Sequence, residues 1–132
     1  MPSGNGAGSR EVAAAAARAA ADKQAEDVVV LDVHELIVIT DFFVVCTGTS
    51  DRHVKTLVEE VEKALRGLGT KPVRREGEQE ARWVLLDYVD VVVHVFAPAE
   101  RDFYDLERLW RDAPRLAWDE DGGVAASAGS LD

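Results

Sequence analysis

The run VVVHVFA, from Val91 to Ala97, restricts the fold more than any other stretch of the chain. It is apolar at nearly every position and too short to cross a bilayer, so it suits a central strand covered on both faces. In the preceding ARWVLLDY, Trp83, Leu85 and Asp87 project to one side and Val84, Leu86 and Tyr88 to the other, because successive strand side chains alternate. Val89-Asp90 supplies a two-residue turn between these strands. Pro98 then opens a helix at a position where its missing N–H costs little. Phe103, Leu106, Leu109, Trp110 and Ala113 form the predicted buried stripe of that helix. Tyr104 falls outside the stripe, among Arg101, Arg108 and Arg111, on the face open to water or a partner.

A chain of 132 residues holds one domain with a real core and is too short for two. Its net charge of -10 makes a phosphate backbone an unfavourable principal partner and a basic protein an easier one. Cys46 is the only cysteine, so no internal disulfide and no cysteine metal cluster can form. Its alternation with Phe42 and Val44 predicts a buried, inert strand thiol. The sequence has neither a membrane-length apolar run nor a signal-peptide pattern, which leads us to expect a cytoplasmic protein.

Residues 1–9 are rich in glycine and serine, residues 117–132 in glycine, alanine and acids; both ends are expected to be disordered around a single domain at 10–116. Within the domain, Glu11 to Ala25 is a strong helix former, and Asp27 to Val33 reads as a strand. His34 to Thr40 is ambiguous between a turn and an irregular bridge, and Asp41 to Gly48 is a second strand. Ser50 and Asp51 cap a helix whose stripe is Val54, Leu57, Val58, Val61, Leu65 and Leu68. Glu59-Lys63 and Glu62-Arg66 are i,i+4 pairs on its outer face, and Gly67 and Gly69 end it. KPVRRE is a short strand whose Pro72 argues for an edge or for a strand start. The expected fold is therefore α/β, a mixed five-stranded sheet packed with helices in the order α-β-β-α-β-β-β-α. The middle helix is a crossover and the last three strands form a meander.

Few residues form a pattern that chemistry could use. Gly48-Thr49-Ser50 before a helix could cradle a phosphate, but the same residues serve any capped strand-to-helix turn. Asp87 and Asp90 are the nearest candidates for a metal-bridging pair, yet they flank a turn and leave no shared strand face. His34, His53 and His94 are scattered, and His94, between valines, reads as a hydrogen-bonded core residue. Ser50, His94 and Asp87 lack the sharp nucleophile turn that acyl-transfer chemistry needs. A small nucleotidyltransferase-like enzyme is the alternative that Gly48, Ser50, Asp87 and Asp90 leave open.

Two long segments carry a resemblance: ITDFFVVCTGTSDRHVKTLVEEVEKAL and ARWVLLDYVDVVVHVFAPAERDFYDLERLW. Between about Asp27 and Trp110 the chain resembles the ribosomal silencing factor family, also called the Iojap or RsfS family. The resemblance implies a nucleotidyltransferase-like fold without catalytic activity, and it brings no cofactor or metal. It also implies binding to the large ribosomal subunit through the ribosomal protein called L-fourteen, steric blockage of subunit joining, and a homodimer when free. The candidate partner surface is Trp83, Leu85, Asp87 and Tyr88 on the strand, with Tyr104 and Asp105 on the last helix. Its aromatic rings supply contact area and its carboxylates suit a basic protein.

Overall fold

The structure, a computed structural model, describes residues 8–119. Alanine propensity builds the first helix, α1 (Ser9–Asp22), whose Ala13, Ala16, Ala17 and Ala20 are fully buried. Small side chains let its backbone approach the sheet and the second helix closely. The β-branched runs become β1 (Glu26–Asp32) and β2 (Phe42–Thr47), which pair antiparallel. Between them, residues 33–41 form a turn-rich loop in which Ile37 packs inward while Val38 and Ile39 stand in solvent. This resolves the ambiguous segment as turns.

The second helix, α2 (Asp51–Arg66), is capped as expected: Ser50 Oγ accepts the His53 N–H at 3.1 Å. Val54, Leu57, Val61 and Leu65 are buried, and Val58 and Leu68 pack partly against them. Glu62 does not serve the expected pairing with Arg66. Its carboxylate instead takes a forked hydrogen bond from Arg75, at 2.6 and 3.3 Å, tying α2 to the edge strand β3 (Arg74–Glu76). Two further strands, β4 (Trp83–Asp87) and β5 (Val91–Phe96), complete one mixed sheet in the order β1-β2-β5-β4-β3. The helix α2 carries the chain from β2 across to the edge strand β3, and the antiparallel meander β3, β4, β5 then brings β5 back to lie parallel beside β2.

Strand alternation divides the core into two layers. On one face Val30, Val44, Cys46, Val84, Leu86, Val93 and Val95 lie under α1 and α2. On the other, Leu31, Phe43, Val45 and Phe96 are covered by the C-terminal segment and by Val33 and Ile37 of the loop.

The C-terminal segment departs from the expected single helix. It breaks at Asp105, a non-glycine residue at φ 44°, into α3 (Pro98–Tyr104) and the single turn α4 (Leu106–Leu109). Arg101, expected on the outer face, supplies the physical reason because it is only 7% exposed. Its guanidinium donates to Thr47 Oγ1 at 2.6 Å, to the Asp27 carbonyl at 2.7 Å, and to both oxygens of Glu107. On a continuous helix, residues six apart would sit about 9 Å apart along the axis and about 120° around it. The break lets Glu107 fold back onto Arg101. It also rotates the expected stripe: Leu106 and Ala113 are buried, but Phe103 and Leu109 are 80% and 70% exposed.

At the ends, Ser9 opens α1 and bonds Asp41, while Trp118 packs against the first layer. The described fold thus takes in residues on either side of 10–116, with Trp118 against the core. The remainder of the two segments expected to be disordered, 1–7 and 120–132, lies outside the described residues.

Candidate partner-binding surface

The C-terminal segment and the 33–41 loop cover only part of the second sheet face. Left half-buried across β4 and β5 are Trp83, Leu85, Asp87 and Val92. The β4–β5 hairpin fixes their register, with Trp83 opposite Phe96 and Leu85 opposite His94. A trough of about 350 Å³ runs over this area, floored by Leu85, Val92 and His94 and walled by Ile39 and Arg74.

Trp83 is held on three sides. Its ring stacks on Phe96 at 5.0 Å between centroids and meets Tyr104 at 4.4 Å. Its indole N–H donates to His94 Nδ1 at 3.1 Å. Tyr104 itself is 44% exposed and is buttressed edge-on by Phe103 at 5.0 Å. The structure therefore brings Trp83 and Tyr104 into one aromatic surface, with Leu85 and Asp87 beside it and Asp105 at the helix break.

Tyr88 does not belong to that surface. Alternation sends it to the opposite face with Val84 and Leu86, where it is 8% exposed within the helix-covered layer. Burial, with the Glu62 carboxylate next in effect, pushes its phenol well above the usual tyrosine range. Asp87 is placed as expected but is not a free carboxylate. Its Oδ1 accepts the Val89 N–H at 2.8 Å, stabilising the turn, and its Oδ2 accepts from Arg74 at 3.2 Å. The bond from the Val89 N–H to Oδ1 supports Val89 at φ 74°, a left-handed conformation rarely adopted by a β-branched residue.

The expected partner set did not include His94, although one signal pointed to it. A two-residue turn at Val89-Asp90 implies a register that puts His94 diagonal to Trp83 on the same face, within reach of long side chains. As the sequence suggests, His94 is a hydrogen-bonded core residue, 5% exposed, and burial pushes its pKa down to about 4. Cys46 is fully buried, which pushes its thiol up to about 12.

The residues of the phosphate-cradle alternative have local structural duties. A Cβ at Gly48 would meet the backbone N of Val54 at 2.9 Å, so glycine there permits the close strand-to-helix turn. The Thr49 N–H goes to His53 Nδ1 at 2.8 Å, and the His53 N–H goes to Ser50. The other nitrogen of His53 bonds the Lys23 carbonyl at 2.8 Å, fastening α2 to the end of α1. The amides of Gly48, Thr49 and His53 thus have internal partners, the first in the Phe96 carbonyl. His94 Nδ1 takes the Trp83 indole N–H, its Nε2 does not reach Ser50, and the Asp87 carboxylate is engaged by Val89 and Arg74, so these residues are not arranged as an acyl-transfer triad.

The family described as "Ribosomal silencing factor during starvation" matches residues 7–130 of the chain. A ribosomal silencing factor of Bacillus subtilis is 46% identical over 99 residues, covering 75% of this chain and 84% of that protein. The crystal structure of a Chromobacterium violaceum protein superposes with a TM-score of 0.75 at 36% identity, covering 89% of this chain and 95% of that one. A longer mouse protein, named for mitochondrial assembly of the ribosomal large subunit, is 33% identical over 91 residues, 67% of this chain and 40% of its own length.

Proposed function

Because the chain belongs to the ribosomal silencing factor family, we propose that it docks on the large ribosomal subunit through L-fourteen and blocks the small subunit from joining. Translation is repressed by occupancy of the joining surface, without catalysis. The relatives bear the names of regulatory factors, and the mouse relative's name ties it to the large subunit.

The observation that carries this reading is the partly open aromatic surface of Trp83 and Tyr104 on a protein of net charge -10. Rings held in place offer desolvated contact area at small entropic cost, and an acidic protein is drawn to a basic partner. Leu85 and the Arg74-Asp87 pair border the rings, with Asp105 beyond Tyr104. Tyr88, on the far face, has no part in the docking. The free protein pairs with a second copy through apolar residues left in solvent, among them Ile39, Phe103 and Leu109. It works in the cytoplasm; no described helix is long and apolar enough to cross a membrane.

Cosedimentation with separated ribosomal subunits tests the docking. The parent should pellet with large subunits and reduce their joining to small ones. Tyr104→Ala, which empties no core site, should weaken binding by roughly tenfold, about 1.4 kcal/mol, while melting nearly as the parent does. If Tyr104→Ala and Asp105→Lys both fold and cosediment like the parent, the C-terminal helices are not part of the interface.

A further inference from the structure

His94 is a costly polar group to bury in the second layer. It lies mid-strand in β5, and its Nε2 is buried with no hydrogen-bond partner. Its Nδ1 accepts the Trp83 indole N–H. An indole nitrogen can only donate, so Nδ1 must be unprotonated and the one proton of the neutral ring must sit on Nε2. The ring thus spends one nitrogen on Trp83 and leaves its own N–H unanswered in the core, which is unfavourable for stability. An aliphatic side chain would fill the site without that cost. What the imidazole supplies and an aliphatic chain does not is an acceptor aimed at the indole.

We propose that His94 is a positioning residue for partner docking: it fixes the orientation of the Trp83 ring before the partner arrives and consumes the ring's single donor. This rests on the reading of Trp83 as part of the docking surface. The stacking contacts with Phe96 and Tyr104 resist displacement of the indole but tolerate in-plane rotation and sliding. A directional N–H···N bond removes that freedom, so less ordering remains for the binding step. With its N–H turned inward, Trp83 offers a partner only apolar edge and π-face. The matching chemistry at that point is an aliphatic chain or a lysine or arginine cation packed on the ring, and not a hydrogen-bond acceptor.

The parent protein, labelled with ¹⁵N in tryptophan and histidine, tests the first half by NMR, with Trp83→Phe assigning the indole resonance. The expected result is a His94 proton on Nε2 and a scalar coupling between His94 Nδ1 and Trp83 Nε1. A proton on Nδ1, or a Trp83 indole N–H that exchanges with water like a free one, overturns the proposal even if no variant folds. Docking tests the second half. His94→Asn keeps an acceptor the same number of bonds from the backbone, whereas His94→Phe keeps the ring and loses the acceptor. In cosedimentation with large subunits, His94→Phe should bind about two- to tenfold more weakly, the range expected from ordering one side chain on binding. His94→Asn should stay within about twofold of the parent on the same scale. Equal binding by folded His94→Phe, while Trp83→Ala binds weakly, removes this proposal and leaves the docking reading intact. Equal loss in both His94 variants also removes it. If the parent itself fails to bind large subunits, the docking reading falls and takes the partner half with it.

Discussion

Arg101 is the side chain whose loss should be felt furthest from its own position. It joins β1, β2 and the broken C-terminal helix through one guanidinium, donating to the Asp27 carbonyl, Thr47 Oγ1 and both oxygens of Glu107. Arg101→Met removes all of these and leaves the Thr47 hydroxyl without its donor and the Glu107 carboxylate without its counter-charge. Hydrogen bonds to a charged group contribute about 1.5–3 kcal/mol each, and breaking a buried pair costs about 3–5 kcal/mol. Glu107 keeps 22% of its side-chain exposure and recovers some hydration, so we expect the lower end, about 3 kcal/mol, or roughly 10 °C or more in Tm. Arg101→Lys should lose most of this too, because an ammonium cannot fork across a carboxylate and still reach two other acceptors. Urea unfolding at pH 7 measures the loss, and repeating it in acid checks the cause. Burial raises the Glu107 pKa, but the Arg101 hydrogen bond and charge outweigh it and hold the carboxyl below its usual range. A folded pKa below the unfolded one means the stabilisation is complete above the ordinary glutamate value of about 4.3 and is lost as pH falls through the folded value. The parent should therefore weaken more steeply below about pH 4.3 than Arg101→Met does. An Arg101→Met protein that unfolds at the parent's urea midpoint, or keeps the parent's acid slope, would refute this account of the network.

Gly77→Ala should destabilise by more than about 2 kcal/mol in the same assay: its φ of 84° disfavours a side chain, and a Cβ would come within 2.0 Å of the Trp83 carbonyl oxygen, which is backbone and cannot swing away. Gly67→Ala is the control, because φ is -63° there and the nearest atom is 3.2 Å away; it should change stability by less than about 1 kcal/mol. Cys46, fully buried with its thiol pushed up to about 12, should react with a disulfide reagent at pH 8 only as fast as the protein opens. Rapid labelling under native conditions would contradict that.

The parts of the fold legible in the sequence are those set by local periodicity. The α2 stripe, the Ser50 cap, the crossover and the meander follow from spacings within one or two elements, and the structure has each of them. The same period-2 logic separates Tyr88 from Trp83; grouping the two on one surface went against the alternation of the strand itself. What was not legible depends on partners far away in sequence. A 3.6-residue pattern drawn through Phe103 and Leu109 presumes a continuous helix, but the helix breaks where Arg101 finds Asp27 and Thr47, 74 and 54 residues away. Once Arg101 turns inward, Glu107 follows, and Asp105 must take the left-handed turn that allows it. The break leaves Tyr104 as the last residue of α3, where its ring lies against Trp83 while Phe103 turns to solvent. The aromatic surface is thus held from two directions: Arg101 sets the helix that carries Tyr104, and His94 takes the indole N–H of the ring Tyr104 rests on.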